Sequence, residues 1–202
     1  MTMLTLTSLL ITKFCHDLAG PLGGLQNGLE FLSESESADA AELLALSSSE
    51  ASARLQIFRN AYGTFAQQSP ANAAEAEQII HGFLKQTKLA ANINLTGSLT
   101  QQMRAAILQQ VLIAHQLLIY GGRLEISCNG KQITINASAE KMHDDAEIKA
   151  LLMGSGAVKI PEAAAPKLVH ALYWREYANA NGLKFSTRFE ANQFHFMTSW
   201  AA

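Results

Sequence analysis

The chain has 202 residues with a formal net charge of −2, and 49% of its residues are hydrophobic. That apolar fraction suffices for a real core, in one large domain or two small ones. The charge excludes the basic footprint of a nucleic-acid-binding protein, and no apolar run approaches the length of a membrane span. The two cysteines make no disulfide framework and the N-terminus lacks the pattern of a signal peptide, so we expect a cytoplasmic protein.

A strong apolar repeat marks the first predicted helix, over residues 3–32. Its apolar positions are separated by alternating steps of four and three, which is typical of a helix that packs against other helices. These positions, which we call the seam, are Ile11, Cys15, Leu18, Leu22, Leu25, Leu29 and Leu32. A polar stretch over residues 33–37 then predicts a turn.

The middle of this helix carries residues that a purely structural helix avoids. Pro21 crowds the backbone carbonyl of Asp17 at a cost of about 3 kcal/mol, and each glycine costs about 1 kcal/mol relative to alanine. His16 lies one residue past a seam position, about 100° around the helix, and therefore reaches solvent. Beside the seam runs a strip of polar or small residues, formed by Lys13, His16, Gly20, Gly23, Gly24 and Asn27. The pattern indicates a site where another molecule approaches His16.

A second helix with the same spacing is predicted over residues 38–67, antiparallel to the first. Its repeat positions are Leu44, Ser48, Ala51, Leu55, Phe58, Tyr62 and Phe65. The small residues Ser48 and Ala51 would let the two helices approach closely. A two-helix hairpin cannot bury both sides of its seam, whereas two copies can do so as a four-helix bundle. The alternative is that the hairpin packs on the C-terminal part of its own chain.

After a linker at residues 67–72, the chain alternates between helices and strands. Helices are predicted over residues 74–88, over 100–119 with Thr100 as the cap, and between Pro166 and Gly182. Strands are predicted at 93–95, 124–128, 133–135, 183–189 and 193–200, with Asn129-Gly130 as a hairpin turn. This order suggests a sheet covered on one face by helices. The predicted fold is therefore α+β, with domains at residues 1–69 and 70–202.

Two segments resemble known signalling proteins. The string His16-Asp17-Leu18-Ala19-Gly20-Pro21-Leu22 resembles the phospho-acceptor box of two-component histidine kinases. Its extension to Glu30, together with residues 54–63, is more similar to the ChpT family of alphaproteobacterial histidine phosphotransferases. The element order of residues 70–202 also resembles the ATP-binding (GHKL, or Bergerat) domain of histidine kinases. The resemblance implies a homodimer through the hairpin, so we favour the four-helix bundle, and it implies His16 as the phosphorylated residue.

The residues with which such an ATP-binding domain uses nucleotide are missing from the sequence. The helix segment 113–118 has no asparagine for Mg²⁺, and residues 138–145 contain no glycine for an Asp-x-Gly-x-Gly turn. Residues 153–156 resemble a glycine-rich lid only faintly, and such a stretch is more often an ordinary loop. We therefore predict a degenerate domain that uses no ATP and no cofactor. No metal site is predicted, because metal-ligand spacing is absent around His81, His115, His143, His170 and His195.

The chemistry expected at His16 is phosphoryl transfer. A neutral imidazole is a good nucleophile near pH 7, because the unperturbed pKa of histidine is about 6.5. Its attack on the aspartyl phosphate of a receiver domain would give phosphohistidine, and the receiver would supply the Mg²⁺. Asp17 can accept a hydrogen bond from the ring and favour the tautomer whose other nitrogen attacks; otherwise it is a solvated helix charge. Arg54, which should face His16 from the second helix, either lies near the phosphoryl group or is an ordinary surface arginine.

The resulting hypothesis is a histidine phosphotransferase of a bacterial phosphorelay, which receives a phosphoryl group from one receiver domain and passes it to another. The residues expected to contact the receiver are Lys13, Gly20, Gly23, Gly24, Asn27 and Arg54. The resemblance implies a hybrid kinase as donor and response regulators, some of which control the cell cycle, as acceptors. Two alternatives stay open: an active histidine kinase, and a non-catalytic adaptor that uses the hairpin only for binding.

Overall fold

A computed structural model describes residues 2–34, 38–63, 72–154 and 165–200, and this part of the chain has the predicted α+β fold. Its helices are α1 (Met3–Glu34), α2 (Ala38–Tyr62), α3 (Ala73–Leu84), α4 (Gln101–Leu117), α5 (Ala146–Met153) and α6 (Ala165–Ala180). Its strands are β1 (Leu89–Leu95), β2 (Gly122–Cys128), β3 (Gln132–Ser138), β4 (Leu183–Phe189) and β5 (Gln193–Trp200). Within these described ranges, no helix is both long and apolar enough to cross a membrane.

The first two helices form an antiparallel hairpin, and two glycines of α1 face α2. Gly24 faces the buried Ser47, and Gly28 faces Leu44 so closely that a Cβ on Gly28 would lie 2.8 Å from Leu44 Cγ. The two glycines therefore allow a close approach of the helix backbones. The prediction that Ser48 lies at this approach was wrong, because Ser48 is exposed and its neighbour Ser47 takes that place.

The five strands form one mixed sheet in the order β1-β2-β3-β5-β4. β1 and β2 are parallel and the other neighbouring pairs are antiparallel. The parallel pair requires a crossover, which α4 supplies. At the β2–β3 turn only Gly130 has a positive φ, of +79°, while the side-chain oxygen of Asn129 accepts hydrogen bonds from the backbone N–H groups of Lys131 and Gln132. The Asn129-Gly130 turn is thus confirmed, although it is not a two-residue turn with both residues at positive φ.

α4 is the central helix of the fold, and all its residues from Met103 to Ala114 are buried. Towards the sheet, Gln110 Nε2 donates to Thr198 Oγ1 of β5 over 2.9 Å. Towards the hairpin, Gln109 Nε2 donates to the carbonyl oxygen of Ala61 over 2.8 Å, near the end of α2. α4 therefore connects the hairpin to the sheet through buried polar contacts as well as through apolar packing.

One end of the hairpin packs on the C-terminal part of the same chain. The core contains the hairpin residues Leu6, Leu10, Ile57, Phe58 and Ala61 together with apolar residues of α3, α4, α6 and the sheet. The alternative of packing within one chain is therefore correct for this end of the hairpin. The seam is left outside that core, because its residues are exposed or only half-buried.

The predicted and observed elements differ mainly where a local turn ends a helix. α3 ends at Leu84 rather than near residue 88, because Thr87 Oγ1 donates to the Leu84 carbonyl oxygen and accepts from Leu89 N–H. β1 consequently begins at Leu89. α5 has no specific counterpart among the predicted elements. Phe65, most of the linker, the proposed domain boundary at residue 69, and Ser155-Gly156 lie outside the described residues, so the division into domains stays a prediction.

Candidate functional site

His16 lies in the middle of α1 with its imidazole in solvent. The side chain is 84% exposed, as its position beside the seam predicted. Its Nδ1 lies 3.2 Å from Oδ1 of Asp17. In the tautomer with the proton on Nδ1, this contact is a hydrogen bond to the carboxylate, and the lone pair of Nε2 is left to act as a nucleophile.

Asp17 is turned inward and is paired with a lysine. Its side chain is 12% exposed, and Lys13 Nζ lies 2.5 Å from its Oδ1 and 2.7 Å from its Oδ2. Burial by itself would raise the pKa of Asp17, but the hydrogen bond and charge of Lys13, helped by the hydrogen bond from His16, hold the pKa below its usual value. Asp17 is therefore an ionised, half-shielded carboxylate and not a solvated helix charge.

A cavity of about 270 Å³ lies beneath this pair, between the hairpin and the C-terminal part of the chain. It is lined by Lys13, Asp17, Arg54, Phe58, Phe83, Leu112, His115, Gln116, Ile119 and His170. The predicted helix register thus brings Arg54 to the same cavity as Asp17. The guanidinium of Arg54 is itself paired with Glu50 on its own helix, at 2.7 and 2.9 Å from Oε1. The role of Arg54 towards a partner stays a prediction.

The strip of small residues divides into two parts. Gly20 and Gly23 have open space, because a Cβ on either would meet no atom within 4 Å, and Asn27 is exposed. Gly24 instead faces α2 and belongs to the packing of the hairpin. The open surface beside His16 is therefore formed by Gly20, Gly23 and Asn27, and we call these three residues the open strip.

Two histidines beneath the site are shielded from water. Burial, with a smaller contribution from the charge of Lys13, lowers the pKa of His170 to about 3, and its Nδ1 shares a 2.7 Å hydrogen bond with Tyr62 Oη. Burial, followed by the charges of Arg54 and Lys13, lowers the pKa of His115 to about 4. Both rings are therefore neutral at physiological pH. The sequence carried no signal for this cluster, because its members come from α2, α4 and α6 and meet only in the folded chain.

His170, which is buried, and His115, which is half-buried, should make the protein less stable in mild acid. In the unfolded chain each would bind a proton near pH 6.5, whereas in the folded chain His170 and His115 stay neutral down to about 3 and about 4. The unfolded state binds more protons in this window, so the free energy of unfolding falls as the pH falls from 6.5, by up to about 1.4 kcal/mol per pH unit for each histidine. Asp17 and Asp145, whose pKa values are lowered, add a loss only below about pH 4.

Urea unfolding at about pH 7 and about pH 5 measures this slope. The variant His115→Gln should flatten it by about half, because one of two titrating rings is removed. The variant His81→Gln, at an exposed position of α3, is the matched control and should leave the slope unchanged. Equal stability of the parent at both pH values would contradict the prediction.

No metal centre accompanies the site in the part of the chain that the structure covers. Among those residues, no group of three or more histidine, cysteine, aspartate or glutamate side chains is arranged to hold an ion. What the described geometry offers chemically is therefore a solvent-facing imidazole, an oriented carboxylate beneath it, and open helix surface on one side.

Comparison with known proteins gives the family. Residues 73–193 match the family model "Histidine phosphotransferase C-terminal domain", which covers more than half of the chain. The chain therefore belongs to this family. A segment of 64 residues is 44% identical to "Protein phosphotransferase ChpT" of Brucella abortus (strain 2308) and spans 31% of this chain and 31% of that relative, about a third of its length. The resemblance to ChpT-type phosphotransferases is thereby confirmed.

A solved structure agrees with this assignment. The "1.7 Angstrom Structure of a Bacterial Phosphotransferase" superimposes with a TM-score of 0.83 and 25% identity over 98% of both chains. The Acinetobacter baumannii histidine kinase AdeS superimposes with a TM-score of 0.47 and 15% identity, over 92% of this chain and 97% of that one.

Proposed function

We propose that this protein is a histidine phosphotransferase of a bacterial phosphorelay and that His16 is the residue it phosphorylates. The observation that carries the proposal is the His16–Asp17 geometry, an imidazole 84% exposed whose Nδ1 lies 3.2 Å from a carboxylate oxygen. Membership of the histidine phosphotransferase family supports the class of activity.

The proposed reaction needs no proton transfer at the moment of attack. The Nε2 lone pair of His16 attacks the phosphorus of a receiver's aspartyl phosphate, the new N–P bond forms, and the P–O bond breaks. The bond electrons leave with the receiver's aspartate, which becomes a free carboxylate. The ring keeps its Nδ1 proton and becomes a phosphoimidazolium, whose positive charge lies beside the Asp17 carboxylate. Reversal of these steps onto a second receiver passes the phosphoryl group on.

We further propose that the transfer uses neither ATP nor a metal held by this chain. The Mg²⁺ would come with the receiver domain, where it would offset charge on the phosphoryl oxygens. The proposal is supported by the sequence, which has no asparagine in residues 113–118 and no glycine in residues 138–145, where an ATP-binding domain of this class needs them.

The test is transfer of labelled phosphate from a phosphorylated receiver domain to the purified chain in the presence of Mg²⁺. We expect label that is stable in base and lost in acid, the behaviour of phosphohistidine, and we expect a second, unphosphorylated receiver to remove it. Incubation with labelled Mg-ATP alone should give no label. Label from ATP would identify an active kinase, and receiver binding without any label would identify an adaptor.

Receiver domains are proposed to dock over the open strip beside His16. The variant Gly20→Leu should therefore melt at an equal or higher temperature, because leucine is favoured over glycine in a helix by up to about 1 kcal/mol. Its rate of phosphoryl transfer should nevertheless fall by at least about tenfold, because the new side chain lies one turn from His16 and displaces the receiver. Phosphotransfer assays quenched at fixed times measure the transfer rate, and thermal melts measure the melting temperature.

A second helical glycine provides the control for this variant. A Cβ on Gly82 of α3 would likewise meet no atom within 4 Å, and Gly82 lies outside the open strip. The variant Gly82→Leu should transfer phosphate as fast as the parent. Parental transfer by Gly20→Leu would show that the receiver docks elsewhere.

A further inference from the structure

A single carboxylate oxygen joins three side chains of α1. Oδ1 of Asp17 lies 2.5 Å from Lys13 Nζ and 3.2 Å from His16 Nδ1. The ammonium also reaches Oδ2, at 2.7 Å, so it holds both oxygens of the carboxylate. The spacing makes this arrangement natural, because residues four apart are neighbours on a helix face. Lys13 is thus engaged by Asp17 and does not extend freely into the solvent beside His16.

The groups around the Asp17 carboxylate show which of them acts as its counter-ion. The titratable and charged groups around it are Lys13 and His16 on α1, Arg54 and Tyr62 on α2, His115 on α4 and His170 on α6. The guanidinium of Arg54 is paired with Glu50, and the two deeper histidines are neutral. Lys13 is therefore the cation that directly contacts this half-shielded carboxylate. Removing the counter-ion of a shielded carboxylate costs more free energy than removing that of a carboxylate in water.

We propose that Lys13 is a positioning residue for phosphoryl transfer, which holds the Asp17 carboxylate so that Oδ1 accepts from Nδ1–H of His16 and Nε2 attacks. This inference rests on the function proposed above. It differs from the sequence-based prediction that Lys13 contacts the receiver. Without the ammonium, the Asp17 side chain is free to rotate towards water or to take up a proton. Either change weakens the hydrogen bond from Nδ1–H of His16 that orients the imidazole.

The two roles of Lys13 predict different kinetics. If Lys13 acts through Asp17, Lys13→Met should lower the transfer rate at saturating receiver about tenfold near pH 7 and leave the KM for the receiver unchanged. Lys13→Arg should restore most of the rate. Lys131→Met, which removes the same charge at the exposed β2–β3 turn, is the matched control and should behave like the parent.

A double-mutant cycle makes the test decisive. In the Asp17→Asn background the carboxylate is gone, so adding Lys13→Met should change the rate by less than about twofold. If Lys13→Met instead raises the KM, and does so by the same factor in both backgrounds, then Lys13 contacts the receiver and the proposal is overturned. Parental kinetics of Lys13→Met at every pH would overturn it as well.

A measurement without any receiver separates this inference from the proposed function. The ring ¹⁵N shifts of unphosphorylated His16, recorded at about pH 8.5, report which nitrogen carries the proton. The Nδ1–H tautomer should dominate in the parent and in Lys131→Met, and it should lose population in Lys13→Met. That result supports the positioning role even if the receivers tried do not transfer phosphate, whereas an unchanged tautomer overturns it.

Discussion

The variant His16→Gln should lose phosphoryl transfer completely while keeping the parental fold. Glutamine has no nucleophilic ring nitrogen, so no phosphorylated intermediate can form, and we expect a fall of at least about 10⁴-fold, to below detection. The side chain of His16 is 84% exposed, so its replacement opens no cavity in the core. The free energy of unfolding should therefore change by less than about 0.5 kcal/mol. Labelled transfer from a phosphorylated receiver and urea unfolding measure the two quantities.

His81→Gln is the matched control for this variant, since His81 is an exposed histidine on α3. It should accept phosphate at the parental rate. Base-stable label on His16→Gln would show that another residue is the acceptor. A chain whose function in a cell survived His16→Gln would be an adaptor that binds receivers without carrying phosphate.

The features of the site that could be predicted from the sequence are those that depend on the period of one helix or on the register of the hairpin. The period of the seam placed His16 beside it, and the exposure of the imidazole follows directly from that angle. The antiparallel register predicted for the hairpin from an assumed turn near residue 35 was also close to correct. It brought Arg54 to the cavity that Asp17 lines.

The features that could not be predicted depend on how separate elements pack. The sequence pattern placed Gly24 on the same strip as Gly20, and only the position of α2 shows that Gly24 is used for helix contact while Gly20 is open. The Lys13–Asp17 pair could have been found, because the two residues are four apart on a helix. The shielding of this pair from solvent could not be predicted, because the cavity beneath the pair is closed by α4 and α6.

The apolar seam connects the fold to the predicted homodimer. In the single chain, Ile11, Leu22 and Leu29 are 56%, 55% and 60% exposed, and on the second helix Leu55 is 49% exposed. A contiguous apolar face of this kind on a helical hairpin is typical of an interaction surface. A second copy, related by two-fold symmetry, would bury the same seam on both hairpins and complete the predicted four-helix bundle.

The double variant Leu22→Glu with Leu29→Glu should therefore convert the protein to a folded monomer. Burial of each leucine in the bundle stabilises the dimer by about 1.5–3 kcal/mol, and a glutamate there would also place unpaired charge in an apolar interface. Light scattering at micromolar concentration should give twice the chain mass for the parent and the chain mass for the variant, with similar circular dichroism. Leu46→Glu, at an exposed leucine of α2 outside the repeat, should stay dimeric. A folded parent that is already monomeric at this concentration would contradict the bundle, because its exposed seam would then need no second copy.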